Sequence, residues 1–409
     1  MPPEKGMIIN MNYRFSDKMV DMKPSAIREI FKSLGTPGAI SFAAGNPAPE
    51  SFPVKEMGEI SAEIFRDTPV AALQYSITEG YPKLREQVTD RLHEKFSTGG
   101  KDDSVVIVSG GQQGIELSCK VLCNEGDVVI AENPSFIGAL NAFRSLGAKI
   151  VGVELEDDGI SVAGLEAALK ANPQTKMIYV IPTFQNPAGI TMSLEKRKAV
   201  YALARKYDVI LFEDNPYGEL RFAGEDLPTL KSMDTDGRVI YGGSFSKILS
   251  AGMRVGFVCA NNAIISKIVV AKQVEDVHTN IFFQMLCSRY IAEYDLDAHI
   301  RDIRALYRRK SGVMLGALDR FMPKSVSFTR PEGGLFLWCT LPDGVELGQF
   351  VRRAVERNVF VVPGTAFNCD ESAPSRSFRL NYSMPSETEI EKGIALLSDL
   401  IMEMEAKKK

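Results

Sequence analysis

The residue in this chain best placed to do chemistry is a lysine just past the end of a buried strand. Ser244-Phe245-Ser246-Lys247 follows the short run Arg238 to Tyr241, and Arg254 comes seven residues after Lys247. Two hydroxyls and a guanidinium close to a lysine create an anion-binding neighbourhood around its amine. That set suits a lysine imine with a phosphate-bearing aldehyde, which is the chemistry of pyridoxal 5′-phosphate (PLP). Taken by itself, the stretch fits a surface Ser-Lys turn equally well.

Other strand ends carry groups that match the same chemistry. Ser109-Gly110-Gly111-Gln112-Gln113-Gly114 lies between a strand and a helix. Its glycines let backbone approach a ligand, and the helix start offers free N–H groups. A phosphate would then be held twice, by Gly110, Gly111 and Gln112 and by Ser244, Ser246 and Arg254; a plain structural turn is the other reading. Asp214 and Tyr217 follow one strand, and Asn186-Pro187-Ala188-Gly189 follows the strand before it. An aspartate buried at a strand end needs a partner, and a pyridinium nitrogen is one. At an effective dielectric near 20, a contact at about 4 Å is worth roughly 4 kcal/mol before desolvation. Asp214 also fits an N-cap ahead of Pro216. Asn186 and Tyr217 can both bond the phenolic oxygen of such a cofactor. Phe136 can stack on its ring or serve only as core. Arg379 is the one charge inside the apolar strand Ser377 to Tyr382, so it has either a substrate carboxylate or an internal ion pair as partner.

These residues need a scaffold. Apolar runs recur at Val105–Val108, Val128–Ala131, Ile150–Val153, Met177–Ile181, Val209–Phe212 and Val239–Tyr241, most of them separated by helical stretches. That is the βαβ pattern of a parallel sheet covered on both faces. A seventh run, Val255–Ala260, follows too closely for a parallel crossover and is expected to pair antiparallel or to lie elsewhere in the sheet. Residues 262 to 320 read as long helices, with Ile300, Ile303, Tyr307, Met314 and Leu318 on one stripe. Asp297 to Lys310 reads as a solvated charged face. The last ninety or so residues change style, with strand pieces at Leu335–Cys339, Val359–Val362 and Ser377–Tyr382, a helix at Leu347–Glu356, and a final amphipathic helix from Glu387 to about Ala406. An arm and a helix near Ser25 precede all of this.

The chain has 409 residues, 45% hydrophobic and 24% charged, with a net charge of −4. No basic surface for nucleic acid is implied. No run approaches the roughly 20 apolar residues of a membrane span, and the start shows no signal pattern. Six cysteines are scattered; Cys119 and Cys123 share a helical face without a nearby histidine, so packed thiols are expected, no metal, and a reducing, cytoplasmic setting. The three histidines, His93, His278 and His299, fall on predicted helices, which argues against a histidine-led mechanism.

The motifs taken together resemble the fold-type-I PLP enzymes, the class I/II aminotransferases, and most of all their 2-aminoadipate/kynurenine subgroup. The carriers run from Lys23-Pro24-Ser25-Ala26-Ile27-Arg28-Glu29 through Ser41-Phe42-Ala43-Ala44-Gly45-Asn46-Pro47, Leu73-Gln74-Tyr75, Ser109 to Gly114, Glu132-Asn133-Pro134, Asn186 to Gly189, Glu213 to Tyr217 and Ser244 to Lys247, to Phe378-Arg379-Leu380. The resemblance implies an α/β fold with a seven-stranded mixed sheet whose last strand is antiparallel. An arm at 1–44, a large domain at 45–295 and a small α+β domain at 296–409 are expected. It implies a homodimer with shared sites, in which Tyr75 reaches the partner's cofactor phosphate. It implies Lys247, Asp214 and Tyr217 as catalytic residues, with Gly45, Asn186, Arg28 and Arg379 against the substrate. Transfer from an aromatic, 2-aminoadipate or branched-chain L-amino acid to 2-oxoglutarate or a similar 2-oxo acid is expected. A β-lyase or racemase uses the same sheet and lysine; a transcription regulator would need a DNA-binding domain ahead of Ser25, where no helix-turn-helix pattern is found. Three positions depart from the family pattern. Gly111 stands where relatives often have Ser or Thr, Phe136 replaces the common Tyr, and Ala188 replaces Thr in Asn-Pro-Thr-Gly.

Overall fold

A computed structural model describes residues 13–20 and 38–407. Its centre is a sheet built from β2 (Asp103–Val108), β3 (Val128–Asn133), β4 (Lys149–Glu156), β5 (Gly159–Ile160), β6 (Thr175–Val180), β7 (Ile210–Asp214), β8 (Val239–Ser244) and β9 (Gly256–Asn261). The spatial order is β2-β9-β8-β7-β6-β3-β4-β5. Strands β8, β7, β6, β3 and β4 run parallel. Strand β9 is antiparallel to both β8 and β2, as its short connection requires. The seven apolar runs supply seven strands. The eighth, β5, is a two-residue addition paired antiparallel with the end of β4 across Asp157 and Asp158. A hairpin that short and polar has no apolar run to announce it.

Side chains alternate between two cores, as the pleat dictates. Val129, Ala131, Tyr179 and Phe212 face the helices Gly111–Leu122, Ile137–Ser145 and Asn262–Glu275. Val128, Ile130, Ile178 and Leu211 face the helices Val162–Ala171 and Leu194–Lys206. With both faces covered, the strands can be apolar throughout, and the polar groups that remain collect at the strand ends.

The C-terminal part holds a second sheet, β10 (Ser327–Phe328), β11 (Phe336–Thr340), β13 (Val362–Pro363) and β14 (Ser377–Asn381), antiparallel in the order β10-β11-β14-β13. The run Val359–Val362 is not one strand. It divides at Val361, and β12 (Val359–Phe360) pairs in parallel with β1 (Ile40–Ser41) instead. The closing helix Glu387–Ala406 starts on a capping box between Ser386 and Glu389. The helical stretch after 262 is three helices, Asn262–Glu275, Ile281–Glu293 and Leu296–Phe321. His278 lies in the break between the first two, not on a helix: Val277 adopts a φ of 65°, and Asn280 starts the next helix by accepting from Phe283 N at 3.2 Å. The stripe Ile300, Ile303, Tyr307, Met314 and Leu318 is buried.

Candidate active site

Lys247 ends a short 3₁₀ turn at the tip of β8. Ser244 caps that turn, accepting from Ser246 N at 3.1 Å and donating to Ser246 Oγ at 2.8 Å. The Lys247 amine donates to Gly45 O at 2.7 Å. Burial, and then the positive charges of Arg379 and Arg254, push its pKa down to about 8. A lysine so placed spends a useful fraction of time as a neutral nucleophile near neutral pH.

Beside it lies an anion cradle. The helix Gly111–Leu122 opens on Gly110 with no side-chain cap; Gly110 N donates to Val108 O at 2.8 Å and Gln113 N to Gly110 O at 3.1 Å, which leaves the N–H groups of Gly111 and Gln112 available. Gly110 sits at φ 80°, and a Cβ there would stand 2.2 Å from Arg254 Nη2. Only glycine lets that guanidinium lie on the loop. Arg254 is itself left-handed, at φ 54°, and bonds only the carbonyls of Ala251 and Ser109, each at 3.3 Å. Among the described residues no carboxylate pairs with it. Gln112 turns its side chain to Gly138 O at 2.8 Å, which leaves its backbone N–H as its contribution here. Phe136 is half-buried against the core, and its ring fits because Gly138 has no Cβ to meet it.

Asp214 ends β7, 5% exposed. It caps no helix; its Oδ2 accepts from Tyr179 OH at 2.6 Å. Burial raises its pKa to about 7, opposed by the Tyr179 hydrogen bond. No cation among the described residues meets this carboxyl. Asn186 Nδ2 donates to Tyr217 OH at 3.4 Å, and burial raises the Tyr217 phenol.

Arg379 on β14 closes the group. It is 2% exposed, donating to Asn186 Oδ1 and Ala43 O, each at 2.8 Å. Phe336 and Phe367 flank its guanidinium at 4.2 and 5.0 Å. Its Nε has no partner, and burial lowers its pKa to about 10. The internal ion pair that the sequence left open is absent among the described residues. Tyr75 stands apart, 81% exposed, its ring edge-on to His278 at 5.9 Å. Arg28 and the motif around it lie outside the described residues.

Several members of this cluster carry little signal of their own in the sequence: Tyr179, Phe336, Phe367 and the Ala43 carbonyl. Tyr179 had one available cue, as the only polar-tipped ring in the run Met177 to Ile181. Gln185 emerges only in three dimensions, and so does the part played by Glu132, which opens the motif Glu132-Asn133-Pro134. Buried Glu132 accepts from Ile181 N at 3.1 Å and from Gln185 Nε2 at 3.2 Å, and Gln185 Oε1 accepts from Ala188 N at 2.9 Å. That chain of bonds ties the Asn186 loop to β3.

The parts fit a phosphorylated pyridine aldehyde. The helix start at Gly110 has no side-chain cap, Arg254 has no acid and buried Asp214 no cation among the described residues, and the half-buried Lys247 amine has a lowered pKa. Comparison with known proteins bears this out. Residues 38–397 match the family model for aminotransferase class I and II. The chain belongs to the class I and II aminotransferases. It is 41% identical, over 95% of its own length and 94% of the relative's, to aromatic-amino-acid aminotransferase 1 of Thermococcus litoralis. The kynurenine aminotransferase of Pyrococcus horikoshii, solved in complex with PMP, superposes with a TM-score of 0.91 at 40% identity, covering 95% of this chain and 97% of that one. The α-aminoadipate aminotransferase of Thermus thermophilus, solved with N-(5′-phosphopyridoxyl)-L-leucine, does so at 0.87 and 37%, covering 96% and 98%. This aminotransferase therefore has the fold-type-I architecture, uses PLP, and is an enzyme of amino-group transfer.

Proposed function

We propose that this aminotransferase moves the amino group of an aromatic, 2-aminoadipate or branched-chain L-amino acid to 2-oxoglutarate or a similar 2-oxo acid. The observation that carries the reading is the half-buried Lys247 amine at the tip of β8, donating to Gly45 O at 2.7 Å, in a site with a buried Arg379 that has no acidic partner among the described residues. PLP, when bound, supplies the electron sink. Gly110, Gly111, Gln112, Ser244, Ser246 and Arg254 would hold its phosphate, and Phe136 would support its ring. Asp214 would pair with the pyridine nitrogen and favour its protonated form. Asn186 and Tyr217 would bond the phenolic oxygen. Arg379 binds the substrate α-carboxylate through its two-pronged geometry, with Gly45 and Asn186 alongside and Arg28 over the mouth. The Lys247 amine would serve as the base that takes the proton from the substrate Cα and gives it back at the other end of the transfer.

The division into an arm at 1–44, a large domain at 45–295 and a small domain at 296–409 is part of the same reading. It is supported by one sheet confined to 103–261 and another to 327–381. Assembly as a homodimer is supported by exposed Val70, Leu73, Tyr75, Val274 and Val277, a set of apolar side chains that a second copy would cover. Six cysteines without a disulfide support a reducing, cytoplasmic setting. No helix among the described residues is long and apolar enough to cross a membrane.

A donor panel with 2-oxoglutarate as acceptor, read as glutamate formation, tests the reading. Turnover with at least one of the three donor classes is expected. Borohydride reduction of the loaded enzyme should fix the cofactor's mass on Lys247. Fixation on another lysine, or no glutamate from any donor, would overturn it.

A further inference from the structure

A cavity of about 630 Å³ lies between residues 221–226 and the helix Leu296–Phe321, lined by none of the residues gathered around Lys247. Its charged lining is Arg221, Arg301, Arg304, Arg308, Arg309 and Asp226. Three of these arginines already have acids. Arg221 pairs with Asp226 at 2.9 Å and Glu332 at 3.1 Å, Arg309 with Glu387 at 2.5 Å, and Arg301 with Asp295 at 3.6 Å. Arg304 and Arg308 have none among the described residues, so two positive charges are left over. Both stand one helical turn apart on one side of the helix, where like charges repel.

Their guanidiniums are held in place. Arg304 Nε donates to Glu219 O at 2.7 Å, and Arg308 Nη2 donates to Phe222 O. Each bond uses one of five N–H donors on its fork. The remaining donors are fixed in direction by neutral acceptors that remove no charge. Two preset forks with a net charge of two, at a cavity large enough for a small metabolite, match one class of ligand.

We propose that Arg304 and Arg308 form a second, non-catalytic binding site for a dianionic phosphate group, free or as a monoester. The two carbonyls they hold belong to the segment that directly follows Tyr217, so an anion seated here would pin that segment to the long helix.

The test uses the PLP-loaded enzyme, with absorbance confirming that cofactor stays bound, so its own phosphate cradle is filled. Inorganic phosphate and glycerol 3-phosphate are titrated separately by calorimetry, with ionic strength held constant by chloride. One saturable site per chain is expected; the tighter of the two ligands shows whether free anion or ester is preferred. A hydrogen bond to a charged group is worth enough for about a tenfold effect. Arg304→Gln and Arg308→Gln should therefore each weaken binding about tenfold, while Arg379→Gln leaves it unchanged. No saturable site in the wild type, binding that survives both arginine changes, or binding lost with Arg379→Gln would overturn the proposal. Arg308 is exposed, so its single variant decides the matter even where Arg304→Gln folds poorly.

Discussion

Asp214→Asn should make the cofactor-free protein more stable, and increasingly so as pH rises. Burial lifts the Asp214 carboxyl from an ordinary 3.8 to about 7. In the unfolded chain the group releases its proton near pH 4, whereas in the folded chain it keeps it until near pH 7. The folded state therefore binds the extra proton across that window, and stability falls with rising pH by about 1.4 kcal/mol per unit for this one group. Over about three units the loss is about 4 kcal/mol, complete above pH 7. Asparagine carries no such proton and can still accept from Tyr179 OH, so the variant escapes the loss. Urea unfolding of both cofactor-free proteins between pH 5 and pH 8.5 measures the difference directly. It should be about 1–2 kcal/mol at pH 5, grow to about 4 near pH 7, and then level off. Buried Glu132, also raised, to about 8, is present in both proteins and largely cancels. A difference that is flat across this range, or a variant less stable at pH 8, would show that Asp214 is already satisfied in the empty site.

Loaded with PLP, the same substitution should cost far more turnover than Asn186→Ala, because it removes a charge where Asn186 offers only a hydrogen bond; equal losses in kcat would reduce Asp214 to a packing role. Gly110→Ala should release cofactor, since the new Cβ would collide with Arg254 at a backbone φ of 80°; equilibrium dialysis showing undiminished PLP affinity would contradict the cradle. Arg379→Lys should raise KM for donor and acceptor together, as lysine keeps charge but loses the paired donors; steady-state kinetics unchanged for both would assign Arg379 to structure alone. Tyr75→Phe should weaken PLP retention about tenfold or more. Mixing Lys247→Ala with a Tyr75 variant crippled for cofactor binding should restore activity in hybrid dimers, and no recovery in a preparation shown to contain hybrids would place Tyr75 outside a shared site.

The large sheet was legible because strands buried on both faces leave continuous apolar runs. Its edge strand β5 was not, since two residues held by a tight turn need no apolar face. Strand ends pointed to Lys247, Asp214 and Asn186, and Arg379 stood out as the one charge inside an apolar strand, because charged or amide side chains in such places break an apolar pattern. What could not be read was pairing. Nothing in the sequence says that Ala43 O and Asn186 Oδ1, rather than a carboxylate, meet Arg379. Likewise Tyr179 reaches Asp214 only because β6 and β7 align Tyr179 with Phe212, two residues before the aspartate. The division at Val361 was hidden for the opposite reason: Val359 to Val362 is uniformly apolar, and only its partners, β1 on one side and β14 on the other, tell its two halves apart.

The bonds of Arg379 also set an order of assembly. Ala43 comes from the first tenth or so of the chain, Asn186 from its middle, and Arg379 from near its end. During synthesis, the strands around Lys247 emerge while β14 is still unmade. A chain that has reached the strands around Lys247 therefore still lacks the bonds that Arg379 makes to Ala43 and Asn186. They form only when sequence-distant segments meet, the kind of contact that forms late because its loop-closure entropy is large. The bonds of Arg379 thus report on the docking of the sheet that carries β14 onto the sheet that carries Lys247, and not on either sheet alone.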